Sequence, residues 1–160
     1  MIELWNWRTE GRVAASEIRL ALADALDVPV LPLGGVDPVR VPSGALLVDV
    51  WHRPGDFPTS VDCYGVPAGL PEVSAVAAFA RRLGRACLLA DDTLDAGRHL
   101  LVAADGTIRP VHHDVRDTED GEILSEQRLC TLLSPRCRGW SPCQRSRWVP
   151  DSVIPALAAA

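Results

Sequence analysis

The sequence predicts an α+β fold with a mostly antiparallel sheet and two helices on one face. Runs rich in β-formers alternate with two amphipathic stretches in the order β-α-β-β-α-β, which is the order of a ferredoxin-like split βαβ unit. Asp105-Gly106 then separates two further apolar runs, and an Asp-Gly pair in that position is the strongest short-range hairpin signal. The predicted fold is therefore ferredoxin-like with an added C-terminal hairpin.

The first part of the chain supplies three strands and one helix. Ile2 to Trp7 alternates tryptophan with polar residues and is predicted as an edge strand. Ala14 to Leu26 repeats apolar residues at helical spacing and ends before a proline. After a loop rich in proline and glycine over 29–44, Ala45 to His52 and Thr59 to Tyr64 are predicted as a hairpin with a long turn.

The second helix is predicted over Pro71–Leu83. Proline at the first helical position and Gly84 directly after the last apolar residue are typical start and stop signals. This helix leads into a short apolar strand over Cys87–Ala90. The runs His99 to Ala103 and Thr107 to His112 complete the sheet as the hairpin around Asp105-Gly106.

Charge divides the chain into two regions. Residues 1–126 hold 11 Arg and 20 acidic residues, a net charge of −9, and are predicted to form a single α+β domain. Residues 127–160 hold five Arg and one Asp, a net charge of +4, and are predicted as a basic C-terminal extension rich in Cys, Trp and Pro. The acidic domain should repel nucleic acid and favour a basic protein partner.

Composition also bears on compartment and chemistry. No apolar run reaches the roughly 18 residues of a membrane span, and the first residues do not form a signal peptide, so we expect a cytoplasmic protein without membrane contact. The five cysteines are odd in number and lack a C-x-x-C pair, which favours reduced thiols. All 16 basic residues are Arg, which excludes Schiff-base chemistry and a Walker-type phosphate loop.

An acidic segment follows the hairpin. Six acids lie between Asp114 and Glu126, with Arg116 as the only basic residue. Such a run indicates a solvated face or a mobile loop, and the alternative is a binding surface shared with the acids after the Cys87 strand. In that alternative the partner-binding residues are Asp91, Asp92, Asp95, Asp114, Asp117, Glu119, Asp120 and Glu122.

The extension begins with a predicted short helix over Ser125–Leu133 and continues with arginines interleaved with Ser, Pro, Gly and Trp. Basic residues beside aromatics can bind single-stranded nucleic acid. Here the pattern is short and broken by proline. The favoured interpretation is packing on the domain, with Trp140 and Trp148 as anchors.

The extension also carries the residues for a possible metal site. Cys130, Cys137 and Cys143 could supply three thiolates to zinc with a histidine from the domain, although their spacing matches no common zinc knuckle. His112 and His113 are adjacent on one strand and therefore point to opposite faces. The favoured prediction is that the chain holds no cofactor, with the cysteine site as the alternative.

The motifs of residues 45–124 resemble small actinobacterial immunity-type proteins, which are encoded beside polymorphic or contact-dependent toxins. The resemblance is carried by ALLVDVWHRPGDFP, by ARRLGRACLLADDTLDAGRHLLVAADGTIRPVHHD and by the acidic EDGEI segment. It implies a non-catalytic protein that binds one toxin domain and blocks it, and it supplies no binding residues. An acidic inhibitor gains steering and complementarity from a basic partner.

The sequence therefore predicts a non-enzymatic immunity protein that binds a basic toxin domain through its acidic surface. The alternative is a small enzyme or a zinc-dependent regulatory protein that uses the Cys and His residues of the hairpin and the extension. Zinc content separates the two, because a metal site predicts one zinc per chain.

Overall fold

The computed structural model describes residues 3–91, 93 and 95–153. They form one eight-stranded mixed sheet in the order β2-β3-β4-β1-β5-β6-β7-β8. The strands are β1 (Leu4–Thr9), β2 (Val30–Pro32), β3 (Leu46–His52), β4 (Thr59–Tyr64), β5 (Cys87–Ala90), β6 (Arg98–Val102), β7 (Ile108–Thr118) and β8 (Gly121–Leu129). The helices are α1 (Ala15–Leu26), α2 (Glu72–Leu83), α3 (Pro135–Gly139) and α4 (Ser141–Arg145), with a short 3-10 helix at Pro38–Arg40.

The centre of the sheet confirms the predicted fold class. Strands β3, β4, β1 and β5 are neighbours in that order and every adjacent pair is antiparallel. Helix α1 is followed by the short strand β2, which pairs parallel with β3, and α2 joins β4 to β5. Apart from the added β2, this is the order of a ferredoxin-like split βαβ unit. The prediction that the first strand lies at an edge is wrong, because this connectivity places β1 between β4 and β5.

One core fills the space between the sheet and the two long helices. Trp5 and Trp7 of β1 are each 1% exposed, and Trp7 packs against Phe79 of α2 with ring centroids 5.2 Å apart. Ile18 and Leu22 of α1 are fully buried in the same cluster. Because both helices contribute to one core with the same face of the sheet, they cover a single face, as the sequence predicts.

The acidic segment forms a β-hairpin rather than a mobile loop, and five of its six acids are exposed, in agreement with the predicted solvated face. Strand β7 continues to Thr118, and β8 returns through Ser125, where a short helix was predicted. That helix prediction is wrong. The turn contains Asp120-Gly121, with Gly121 at φ 101°, so the dipeptide that signals the β6–β7 hairpin also signals this one.

The β7–β8 hairpin folds toward the loop between β3 and β4. The backbone N–H of Asp56 donates to the carbonyl oxygen of Leu124 at 3.3 Å. Leu124 lies in a second, smaller core with Phe57, Leu88 and Val111. The face of the sheet opposite the long helices is therefore partly covered by its own last two strands.

The C-terminal extension packs on the domain. Trp148 is 5% exposed and belongs to the main core, and Trp140 borders a small cluster of three buried cysteines. Strand β8 passes through the residue 126 boundary, so the extension begins inside the sheet. Over the described ranges, none of the helices has the length and apolarity needed to cross a membrane.

Replacing Val76 by Asp should destabilise the protein by at least about 3 kcal/mol, because it buries a carboxylate without a partner. Val76 lies on α2 and is 0% exposed. Leu20→Asp is the matched control, since Leu20 lies on α1 and is 68% exposed. Urea denaturation measures both variants, and a Val76→Asp protein as stable as Leu20→Asp would contradict the packing described above.

Candidate metal centre

Four side chains from three parts of the chain converge beside the edge of the sheet. His112, Cys130, Cys137 and Cys143 are all buried, and their potential ligand atoms all lie within 4.8 Å of one another. The sulfur atoms of Cys130 and Cys143 are 3.6 Å apart. The Nε2 atom of His112 lies 3.4 Å from the Cys137 sulfur and 3.5 Å from the Cys143 sulfur.

Three of the six separations among these atoms match the edges of a tetrahedron around Zn²⁺. With Zn–S near 2.3 Å and Zn–N near 2.0–2.1 Å, tetrahedral geometry places two sulfurs about 3.8 Å apart and a sulfur and nitrogen about 3.6 Å apart. The three measured separations are each within about 0.2 Å of those edges. Cys₃His is also a common ligand set of structural zinc sites. The four residues could therefore hold one zinc ion.

A β-bulge places His112 and Cys130 on the same face of the sheet. His112 pairs with Arg128, but Asp114 pairs with Ser125, so two residues of β8 lie opposite His113. One of them, Glu126, has a left-handed backbone at φ 55°. This extra residue sets the register in which the N–H of Cys130 donates to Pro110 O at 3.1 Å. Cys130 thus lies diagonally beside His112.

Two very short helices supply the other ligands. Helix α3 begins at Pro135 directly after Ser134, and α4 begins at Ser141-Pro142. Proline in the first turn fixes φ at a helical value and needs no hydrogen-bond donor there. Cys137 and Cys143 fall within these two helices and are 4% and 0% exposed.

The buried Arg98 lies next to the centre and connects it to two other segments. Its guanidinium donates to the Cys130 sulfur at 3.4 Å, to the Asp91 carboxylate at 2.7 Å and to the backbone carbonyl of Trp148. Burial lowers the pKa of Arg98, but the hydrogen bonds to Asp91 and Cys130 outweigh it and raise the pKa above its ordinary value. A permanent positive charge beside a thiolate ligand is a typical second layer of a zinc site.

Trp140 closes another side of the centre. Its ring stacks on the imidazole of His112 with centroids 5.5 Å apart and an interplanar angle of 30°. The guanidinium of Arg136 lies 5.2 Å from the centroid of the Trp140 ring. The stacked ring shields His112 from water and fixes its orientation.

Burial sets the protonation of the ligands in the absence of a metal. It raises the pKa of Cys130 to about 12, against the hydrogen bond from Arg98, so this thiol is protonated at neutral pH. It lowers the pKa of His112, with Arg98 contributing, so the imidazole is neutral and able to ligate. Metal binding at this site must therefore release thiol protons.

The acidic residues of the predicted partner surface fall into two groups. Asp91 has a side chain 1% exposed, in the ion pair with Arg98, and Asp95 accepts from Gly97 N at 3.0 Å. Asp92 lies outside the described residues. The remaining residues lie on the β7–β8 hairpin, and most are exposed: Asp114, Asp117, Glu119, Asp120 and Glu122.

Two of the hairpin acids have partners within the chain. Asp114 pairs with Arg128 at 3.0 Å, and Glu122 pairs with Arg8 at 3.6 Å. The hairpin and the cluster of cysteines are adjacent in sequence, because Cys130 directly follows β8. The structure thus buries Asp91 in an ion pair, places Asp95 in the lining of one cavity with Asp114, and brings the three cysteines together with His112.

No protein-family model, curated protein or solved structure matches this chain. Its function is therefore inferred from its own residues.

The sequence pointed to three of the four ligands but did not identify the histidine. His112 and His113 do face opposite ways: His112 lies in the cysteine cluster, and the Nε2 of His113 lies 3.2 Å from the Gln127 side chain. The local signal for the cysteines is the repeated Ser-Pro pair, each followed within two residues by Cys. The bulge in β7–β8 determines that His112, and not His113, faces the cysteines, and no local sequence pattern indicates this bulge.

His99 and His113 form a second buried histidine pair on the face opposite the long helices. Their rings meet edge to face with centroids 5.5 Å apart. Burial, with His113 and Arg8 nearby, lowers the pKa of His99 to about 4. Both imidazoles are thus neutral in the folded protein at neutral pH.

The folded protein should therefore lose stability as the pH falls from about 6.5 to about 4. The unfolded state takes up a proton on His99 near pH 6.5, whereas the folded state takes it up only near pH 4. His99→Gln should flatten this part of the stability curve, measured by urea denaturation under identical metal conditions. An NMR titration in which His99 protonates near pH 6.5 would contradict the prediction.

Proposed function

We propose that this chain is a zinc-dependent binding protein in which one structural Zn²⁺ fastens the C-terminal extension to the sheet. The observation that carries the proposal is the convergence of His112, Cys130, Cys137 and Cys143, whose ligand atoms lie within 4.8 Å. Cys130 ends the sheet, and Cys137 and Cys143 lie on the extension. A metal bound to all four would join these segments and supply folding energy that the isolated extension lacks.

The ligand set favours a structural role for the metal. Four protein ligands complete a tetrahedral site, whereas catalytic zinc sites keep one position for water or substrate. Soft thiolates and an imidazole favour zinc over magnesium or calcium. Thiolate ligation also fits the reduced cysteines and the cytoplasmic location that the sequence predicts.

Protein purified without chelator from zinc-supplemented cells should contain one Zn²⁺ per chain by mass spectrometry of the metal. Cys143→Ser and His112→Ala should lose that zinc. Cobalt substitution should give the visible bands of a tetrahedral thiolate site. Removing the metal from the wild type should lower its melting temperature, because a ligand that binds only the folded state stabilises it.

Cys63→Ala is the matched control. Cys63 is a buried free thiol in the main core, away from the cluster, so its loss should leave the zinc content unchanged. Wild-type protein without zinc after zinc-replete purification, and with a melting temperature indifferent to added Zn²⁺, would overturn the proposal.

A second candidate function is recognition of a basic protein, in the manner of an immunity protein that blocks a toxin domain. The observation that favours it is the exposure of Asp117, Glu119 and Asp120 at the end of the β7–β8 hairpin. These carboxylates can steer a basic partner and complement its charge. The two proposals are compatible, because the metal would hold the base of the hairpin that carries these acids.

Reversing Asp117, Glu119 and Asp120 to Arg should slow association with a basic partner at least about tenfold, because exposed charges act mainly through the association rate. Raising the salt concentration should slow wild-type association, since the screening length is about 8 Å at physiological ionic strength. The partner to test is the product of the neighbouring open reading frame, by stopped-flow kinetics.

Reversal of Glu3 and Glu17, two exposed acids outside the hairpin, provides the charge control. It should change the association rate less per residue than the hairpin variant. All variants should melt as the wild type does. Association that is equally insensitive to the hairpin reversal and to salt would exclude an acidic recognition surface.

A further inference from the structure

We propose that the metal centre is also a site of reversible oxidation, at which Cys130 and Cys143 form a disulfide when a peroxide reacts with the protein. This inference adds a form of regulation to the site of the proposed function. Only one part of it rests on that function, namely the release of zinc when the disulfide forms. The disulfide itself depends on the position of two sulfur atoms.

The sulfur atoms of Cys130 and Cys143 are already close. They lie 3.6 Å apart, and a disulfide requires about 2.05 Å. The remaining approach of about 1.6 Å is within reach of side-chain rotation and a small shift of α4. Helix α4 has only five residues and is joined to α3 through Trp140.

Arg98 favours a disulfide between Cys130 and Cys143 over either disulfide that contains Cys137. The resting Cys130 is a protonated thiol, and its sulfur accepts a hydrogen bond from the Arg98 guanidinium at 3.4 Å. This contact stabilises the thiolate, the reactive form of cysteine, once the proton has left or zinc has displaced it. The nearest polar neighbour of the Cys137 sulfur is instead His112 Nε2, at 3.4 Å. Cys130 and Cys143 therefore combine a sulfur beside a cationic donor with a second sulfur 3.6 Å away.

The reaction balances with a peroxide as the oxidant. The Cys130 thiolate attacks one peroxide oxygen, so that an S–O bond forms, the O–O bond breaks and hydroxide leaves. The Cys143 thiolate then attacks the sulfenic sulfur, so that the S–S bond forms and the S–O bond breaks. Two electrons pass from the sulfurs to the peroxide, and two protons complete two waters when the peroxide is hydrogen peroxide.

Oxidation would change the bond that holds the extension at the end of the sheet, from a metal ion to a disulfide. A disulfide removes two of the four metal ligands, so Zn²⁺ should be released as the bond forms. The new bond still ties α4 to the residue that follows β8. Oxidised protein should therefore keep α3 and α4 docked without metal, whereas in protein that is both reduced and metal-free only Arg98 and the packing of Trp148 hold the extension, so α3 and α4 should be more open to protease.

The experiment is titration of the zinc-loaded full chain with hydrogen peroxide, followed by trypsin mapping without reductant. Trypsin cleaves after Arg128, Arg136, Arg138 and Arg145, so the three cysteines fall on three different peptides. We expect a cross-link between the peptides of Cys130 and Cys143, release of one zinc per cross-link to a chromophoric chelator, and recovery of zinc binding after reduction by dithiothreitol.

Cys137→Ser is the informative variant, because it should lose tight zinc binding yet still form the Cys130–Cys143 disulfide. Cys143→Ser should lose both. Limited proteolysis of the folded protein supplies a second measurement: cleavage after Arg138 and Arg145 should be fast in reduced, metal-free wild type and slow after oxidation.

Each outcome has one interpretation. A cross-link through Cys137, oxidation to sulfinic acid without a cross-link, or zinc retained alongside the disulfide would overturn this inference. A chain that binds zinc but never forms the disulfide refutes the inference and leaves the proposed function intact. A chain that forms the disulfide but never binds zinc refutes the proposed function alone.

Discussion

The ion pair between Arg98 and Asp91 is the interaction on which the C-terminal half of the structure depends. Arg98 is 1% exposed, and a buried charge that loses its partner costs about 3–5 kcal/mol. The carboxylate of Asp91 accepts from Nη1 and neutralises the charge, and Nη2 donates to Cys130 and to the Trp148 carbonyl, while the buried Nε has no hydrogen-bond partner among the described residues. One side chain on β6 thereby holds the loop after β5, the end of β8 and the extension in fixed positions.

A second constraint is the register of β7 and β8. Because side chains alternate between faces, a slip of one residue would turn Cys130 away from His112 and remove half of the ligand set. The bulge opposite His113 prevents this, and it requires Glu126 to adopt a left-handed backbone. Such a conformation is uncommon outside glycine and costs energy, so contacts on both sides of Glu126 must maintain it. The packing of Leu124 before it and the cysteine cluster after it provide those contacts.

Local signals determined how much of this fold could be predicted from the sequence. The two long helices, the β3–β4 hairpin and the β6–β7 hairpin follow from apolar periodicity and turn residues, and the fold class follows from their order. The position of β1 at the centre of the sheet is a property of the connectivity, so its own six residues could not reveal it. The β7–β8 hairpin was missed because its charged residues outweighed the Asp120-Gly121 turn signal. Three candidate ligands are visible in the sequence as cysteines, but the fourth, His112, depends on a bulge that no local sequence pattern indicates.

The proposed metal centre explains in part why the chain has an acidic domain and a basic C-terminal extension. Three thiolates, a neutral His112 and one Zn²⁺ leave one net negative charge in a buried site, and such a charge needs nearby cations. Arg98 lies in contact with the centre, and Arg136 lies over the ring that covers His112. The extension thus supplies Arg136, and β6 supplies Arg98, to the region where the thiolates gather, while the exposed acids Asp117, Glu119 and Asp120 lie beyond the bulge on the hairpin. The metal centre and the acidic hairpin are therefore parts of one strand pair with opposite electrostatic requirements, and the bulge at Glu126 is the boundary between them.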